Sequence, residues 1–120
     1  MPEAIEIQLK KGALELCVLA LLSQRDNYAY EIASRLSDSI GMGEGTIYPL
    51  MRRMQADGLV KTYLEESSSG PPRKYYQLTR AGHAALAAQR TEWNSFVASV
   101  AKVLSDAGTA TPAKAAGGAR

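Results

Sequence analysis

The chain has 120 residues, of which 46% are hydrophobic and 22% charged, the balance of an ordinary globular domain with room for an appendage. Its formal net charge is only +2, so composition neither demands nor excludes nucleic acid, and the placement of the cations has to decide. A single cysteine, Cys17, excludes an intrachain disulfide; with a single histidine, His83, it also excludes a three- or four-ligand metal site within one chain.

Other classes fall away by their missing signatures. The longest apolar run, Leu16–Leu22, is far short of the ~20 residues that span a bilayer. The opening Met1–Glu6 carries acidic residues where a secretory signal carries basic ones, so a cytoplasmic protein is expected. The sequence has no glycine-rich phosphate loop with lysine, no nucleophile–base pair and no carboxylate cluster, so neither an enzyme nor a bound cofactor is expected.

In chain order, a first helix is predicted over about Leu9–Gln24. It is apolar nearly all round, the pattern of a helix buried on more than one side, with Cys17 as a small buried hydrophobe and one side meeting a second subunit. Asp26-Asn27 signals a turn. A second helix follows over roughly Tyr28–Ser39, with Ile32, Ala33, Leu36 and Ile40 as its stripe. Gly41, Gly43 and Gly45 then break the chain.

A third helix is predicted from Gly45 or Thr46 to Asp57. Ile47, Leu50, Met51 and Met54 form one apolar stripe, Pro49 sits in the first turn and Gly58 stops the helix. Leu59–Glu65 reads as a strand, Glu66–Pro72 as a long polar loop, and Arg73–Leu78 as a second strand with Tyr75 and Tyr76 on opposite faces. Thr79 caps a fourth helix over Arg80–Leu104, where Leu86, Trp93 and Val100 recur at seven-residue spacing and Val97 and Leu104 repeat it one turn on. The Ala-, Gly-, Thr- and Pro-rich stretch after Leu104 reads as a disordered tail.

Three helices, a hairpin and a long helix make a mainly α fold with a small β-hairpin: a winged helix-turn-helix over residues 1–79, a dimerisation helix over 80–104 and a tail over 105–120. Advancing about 100° per residue from Ile47 places Gly45, Pro49, Arg52 and Ala56 opposite the apolar stripe, flanked by Tyr48 and Arg53. Small residues at the helix start, then arginines, suit a helix that enters the major groove. The hairpin adds an uncharged tip from Ser67 to Pro72, including Ser69 and Gly70, followed by Arg73 and Lys74 for phosphates. Arg52-Arg53 alone is a common solvated pair and Ser67–Pro72 alone merely a loop. What is specific is their order along one chain.

The residues also resemble the PadR-type transcriptional regulators, of the short kind with a single C-terminal helix. The likeness covers about residues 9–104. It lies in Lys11-Gly12, Leu14 and Leu19–Leu22; Tyr30-Glu31-Ile32; Gly45-Thr46-Ile47-Tyr48-Pro49-Leu50; Asp57-Gly58-Leu59-Val60; and Arg73-Lys74-Tyr75-Tyr76-Gln77-Leu78-Thr79 through Gly82. The resemblance implies a homodimer and a repressor on a palindromic operator of double-stranded DNA, often that of its own gene and a neighbouring transporter or detoxification gene. It places Thr46, Tyr48 and Pro49 at the DNA-facing start of the recognition helix, and Gly70, Arg73 and Lys74 on the wing. Ala29 departs from the glycine often found before that tyrosine, and the Ala-rich tail has no counterpart.

The helical stripe assigns the dimer interface to Leu86, Trp93, Phe96, Val97, Val100 and Leu104. In some short relatives an aromatic residue at the place of Trp93 lines a pocket between subunits. Trp93 with Leu16, Ala20 and Val97 could hold a planar aromatic effector; the competing reading is that Trp93 simply packs the dimer core. From another class, the alternative is a winged-helix module for protein–protein contact without DNA binding. Such modules usually lose the cations that Arg52, Arg53, Arg73 and Lys74 supply here.

Overall fold

The computed structural model describes residues 5–108, and of residues 5–11 the backbone alone. The chain forms α1 (Ile5–Gln24), β1 (Asn27–Tyr28), α2 (Ala29–Ile40), α3 (Glu44–Ala56), β2 (Val60–Ser67), β3 (Gly70–Leu78) and α4 (Arg80–Gly108). It divides into two compact units, one ending at Gln89 and one beginning at Arg90.

In the first unit, α2 and α3 are held by the stripes that their sequence spacing announces, and α1, apolar nearly all round, packs one part of its surface into the same core. α1 buries Leu14, Val18, Leu19 and Leu22, while Leu16, Cys17, Ala20 and Leu21 are half-buried. α2 buries Ile32, Ala33 and Leu36 and leaves Ile40 at the margin. Gly41 ends α2 in the left-handed region, φ 73°, and its N–H donates to the Ser37 carbonyl at 3.0 Å. That reversal tucks Met42 into the core, 4% exposed. α3 starts from Gly43 and buries Ile47, Leu50, Met51 and Met54. Gly58, φ 79°, closes α3, and the Leu59 N–H donates to the Met54 carbonyl. Val60, Tyr76, Leu78 and Leu86 complete one cluster, and no polar side chain among the described residues is buried.

The sheet is antiparallel with order β1-β3-β2, so the hairpin gains a third strand that the Asp26-Asn27 turn signal did not reveal. The expected long loop at the hairpin tip is corrected. Both strands run on, with an irregularity between Glu65 and Ser67, until only Ser68 and Ser69 make the turn. Pro71 and Pro72 are accommodated because β1 pairs with β3 only at Tyr75 and Tyr76, leaving that edge of β3 open near the tip.

Two further boundaries move. α3 begins at Glu44, so Pro49 is its sixth residue and lies beyond the first turn. Its missing N–H leaves the Gly45 carbonyl without the helical donor four residues on. α4 continues through Ser105–Gly108, four residues into the stretch expected as tail; residues 109–120 lie outside the described part.

At the junction of wing and α4, the Thr79 hydroxyl accepts from the Gly82 N–H at 3.0 Å, the cap expected of it, and donates to the Gly58 carbonyl at 2.6 Å. The Thr79 N–H donates to the Leu59 carbonyl at 3.1 Å. Gly82 is buried here against Leu59, and the position needs glycine because a β-carbon would overlap the Leu59 carbonyl oxygen.

The second unit carries the rest of α4. Trp93, Phe96, Val97, Val100, Val103 and Leu104 are all exposed, from 39% for Val100 to 65% for Val103. Leu86 is different. It was assigned to this same interface, but it is 8% exposed in the core of the first unit and has little surface left for a partner.

Candidate nucleic-acid interface

Burying Ile47, Leu50, Met51 and Met54 turns the opposite side of α3 outward. Gly45, Pro49, Arg52 and Arg53 are exposed, and Thr46 and Tyr48 half-buried. The flanks of this edge differ. On one flank, burial first, then the Glu44 carboxylate and the Tyr30 and Tyr76 hydroxyls, push the Tyr48 hydroxyl above its ordinary pKa. As a neutral phenol, the Tyr48 hydroxyl can both donate and accept. On the other flank, Thr46, Pro49 and Arg53 line an open cleft together with Leu14, Glu15 and Leu50. Arg53 Nη2 lies 3.3 Å from Glu15 Oε1. Arg52 has no ion pair among the described residues.

The wing cations separate as strand alternation requires. Lys74 pairs with Leu64 and shares a face with Thr62 and Tyr76, the face that becomes core further down. Its Nζ sits 5.6 Å from the centre of the Tyr76 ring. Arg73 pairs with Glu65 and shares the outward face with Tyr63 and Tyr75. Its guanidinium lies over the Tyr28 ring, 4.6 Å from the centre. Arg73 and Lys74 are thus not one basic patch but two cations on opposite sides of one hairpin. Ser69 and Gly70 are exposed at the tip.

Sequence reasoning missed the aromatic group that anchors the wing. Tyr75 meets Tyr28 at 5.4 Å and Tyr63 at 5.8 Å between ring centres, and the Tyr63 hydroxyl donates to Asp26 Oδ2 at 2.8 Å. The strand pattern contained part of this, since residues an even number apart share a face. Asp26 and Tyr28, distant in sequence, could not be read from it. Leu64, 70% exposed beside Lys74, was also missed.

Of the effector residues, Leu16 and Ala20 lie one turn apart and half-buried on α1 of the first unit, while Trp93 and Val97 lie one turn apart and exposed on the second. Burial raises the Cys17 thiol above its ordinary pKa, which suits packing rather than reaction. His83 is exposed. Among the described residues no group of three or more His, Cys, Asp or Glu could hold a metal ion.

Three helices, a three-stranded antiparallel wing and a long C-terminal helix define a winged helix-turn-helix fold. The PadR-like transcriptional regulator family matches residues 18–88, and the chain belongs to that family. It is thus a transcriptional regulator and not an enzyme. A PadR-like transcriptional regulator of Bacillus cereus is 38% identical, with a TM-score of 0.74 over 81% of this chain and 96% of that one. A PadR family regulator of Eggerthella lenta is 33% identical, with a TM-score of 0.71 over 82% of this chain and 87% of that one. An uncharacterised protein of Lysinibacillus sphaericus is 32% identical over 87 residues, 69% of this chain and 80% of that one.

Proposed function

We propose that this regulator works in the cytoplasm as a homodimeric repressor that places α3 of each subunit in successive major grooves of a palindromic operator. The observation that carries this reading is the outward edge of α3. Gly45 and Pro49 allow close approach, while the Tyr48 hydroxyl and Arg52, which has no ion pair among the described residues, present hydrogen-bonding groups to base edges. Thr46, at the first turn, suits a phosphate at the helix N-terminus. Ser69, Gly70, Arg73 and Lys74 follow the backbone from the wing, with Lys74 on the side of the sheet that also packs the core.

The dimer is required because one helix covers too little DNA for operator specificity. A stripe of exposed Trp93, Phe96, Val97, Val100 and Leu104 on a solvated helix supports a second copy as its cover. The same reading gives Trp93, with Val97, Leu16 and Ala20, the role of holding a small planar aromatic effector that releases the operator. Its own promoter and a neighbouring transporter or detoxification gene are the natural targets.

The test is a mobility-shift series on the upstream region of the gene. Tyr48→Ala or Arg52→Ala should reduce preference for the operator over random duplex by about 1–3 kcal/mol. Arg73→Ala combined with Lys74→Ala should weaken binding to all sequences alike and flatten the salt dependence. A wing double variant that binds as tightly as the parent at moderate salt refutes the phosphate role. For the effector, the lone Trp93 is a built-in reporter. Unquenched fluorescence with every planar cationic or phenolic compound tried, in protein that still binds operator, refutes the pocket.

A further inference from the structure

Arg52 and Arg53 are adjacent in sequence and have different surroundings. Arg52 is exposed on the middle of the outward edge. Arg53 lies about 100° further round the helix, on the flank where Thr46 and Pro49 face α1 across the cleft. There Glu15 takes it at 3.3 Å. Glu15 is itself held: its second carboxylate oxygen accepts from Gln89 Nε2 on α4 at 2.8 Å. The Glu15 side chain is 26% exposed and the Arg53 side chain 61%. A carboxylate fixed on both oxygens loses little further freedom in holding the arginine, which removes one of the usual costs of an exposed ion pair.

We infer that Glu15 is a positioning residue that withholds Arg53 from the DNA backbone, so that α3 brings one arginine to DNA rather than two. The inference rests on the reading of α3 as the groove-entering helix. A cation on phosphate strengthens binding to every sequence equally. Occupying Arg53 within the protein therefore holds down affinity for DNA of any sequence, and leaves a larger share of binding to base contacts. Gln89 contributes by presetting the carboxylate, which ties this restraint to the last residue of the first unit, where α4 passes into the second.

The experiment measures fluorescence anisotropy of a labelled random-sequence duplex with the full chain across a sodium chloride series. Each phosphate neutralised adds about 0.9 to the slope of log affinity against log salt. E15Q frees Arg53 and should steepen that slope by about 0.9, an additional ~3.5-fold loss of affinity between about 50 and 200 mM salt. R53Q should leave the parental slope unchanged. E15Q combined with R53Q, which has the parent's formal charge, should return to the parental slope; a merely structural role for Glu15 would not give this pattern. The inference is overturned if E15Q keeps the parental slope, or if R53Q alone flattens it by about 0.9. Should E15Q fold poorly, the exposed R53Q decides by itself. A parent that binds no duplex at any salt overturns the reading of α3, and the inference falls with it.

Discussion

Gly82→Ala is the sharpest test of how the wing is joined to α4. The added β-carbon would overlap the Leu59 carbonyl oxygen, with Leu59 C at 3.2 Å and Leu78 Cδ2 at 3.1 Å crowding it further. The oxygen is backbone, held in place by the Thr79 N–H at 3.1 Å, and Leu59 in turn donates to Met54 at the end of α3. Relief therefore requires the first turn of α4 to lift off the start of β2. That movement sacrifices the Thr79–Leu59 hydrogen bond, about 1 kcal/mol, and overpacks a tight contact, about 1–3 kcal/mol. Alanine's helix propensity returns up to about 1 kcal/mol, less in a first turn. The net is a loss of about 1–4 kcal/mol. For a domain of this size that lowers Tm by roughly 4–8 °C per kcal/mol. Thermal unfolding followed by circular dichroism, at matched protein concentration because the Tm of the proposed dimer would depend on it, reads this directly. A variant melting at or above the parent would refute the reasoning, for it would mean that the Leu59 carbonyl yields at no cost.

Two further outcomes are expected. The hydrogen bond to Asp26, first among its causes, pushes the Tyr63 hydroxyl up to about 12. The folded state thus holds this proton more tightly than the unfolded chain, where tyrosine titrates near ~10. Its contribution to stability is complete below that value and is lost as pH rises towards 12. In an absorbance titration of the six tyrosines, Tyr63 should ionise late and Asp26→Asn should shorten that lag, leaving the part due to burial, Glu65 and Tyr75; an unchanged lag would remove Asp26 as its main cause. Phe96→Asp should convert a dimer to a monomer in light scattering and abolish the operator shift, while the first unit keeps its fold. A variant that stays dimeric would take Phe96 out of the interface.

Periodicity made most of the architecture legible. Ile32, Ala33 and Leu36, and then Ile47, Leu50, Met51 and Met54, are buried at the spacing that the helices require, and Gly41 and Gly58 stand where a positive φ is needed. The outward edge of α3 followed from the same wheel. Strand β1 was not legible because two residues are too few to show alternation. The hairpin tip was misread because serine, glycine and proline usually mark loops; here Pro71 and Pro72 continue a strand whose edge is unpaired. Leu86 kept the seven-residue spacing of Trp93 and Val100 and went to the core, because spacing names a face of the helix and not what covers it.

The sequence by itself thus determined the helices α1 to α3, the inward faces of α2 and α3 and the row of residues that α3 turns outward, since these depend on neighbours within one or two turns. Only the tertiary structure decided which cations remain available. Arg53 is engaged by Glu15, 38 positions away, and Arg73 lies over the Tyr28 ring, while Arg52 stays unpaired among the described residues. The charge of an arginine is local, but the partner that competes for it is brought by the fold from distant parts of the chain.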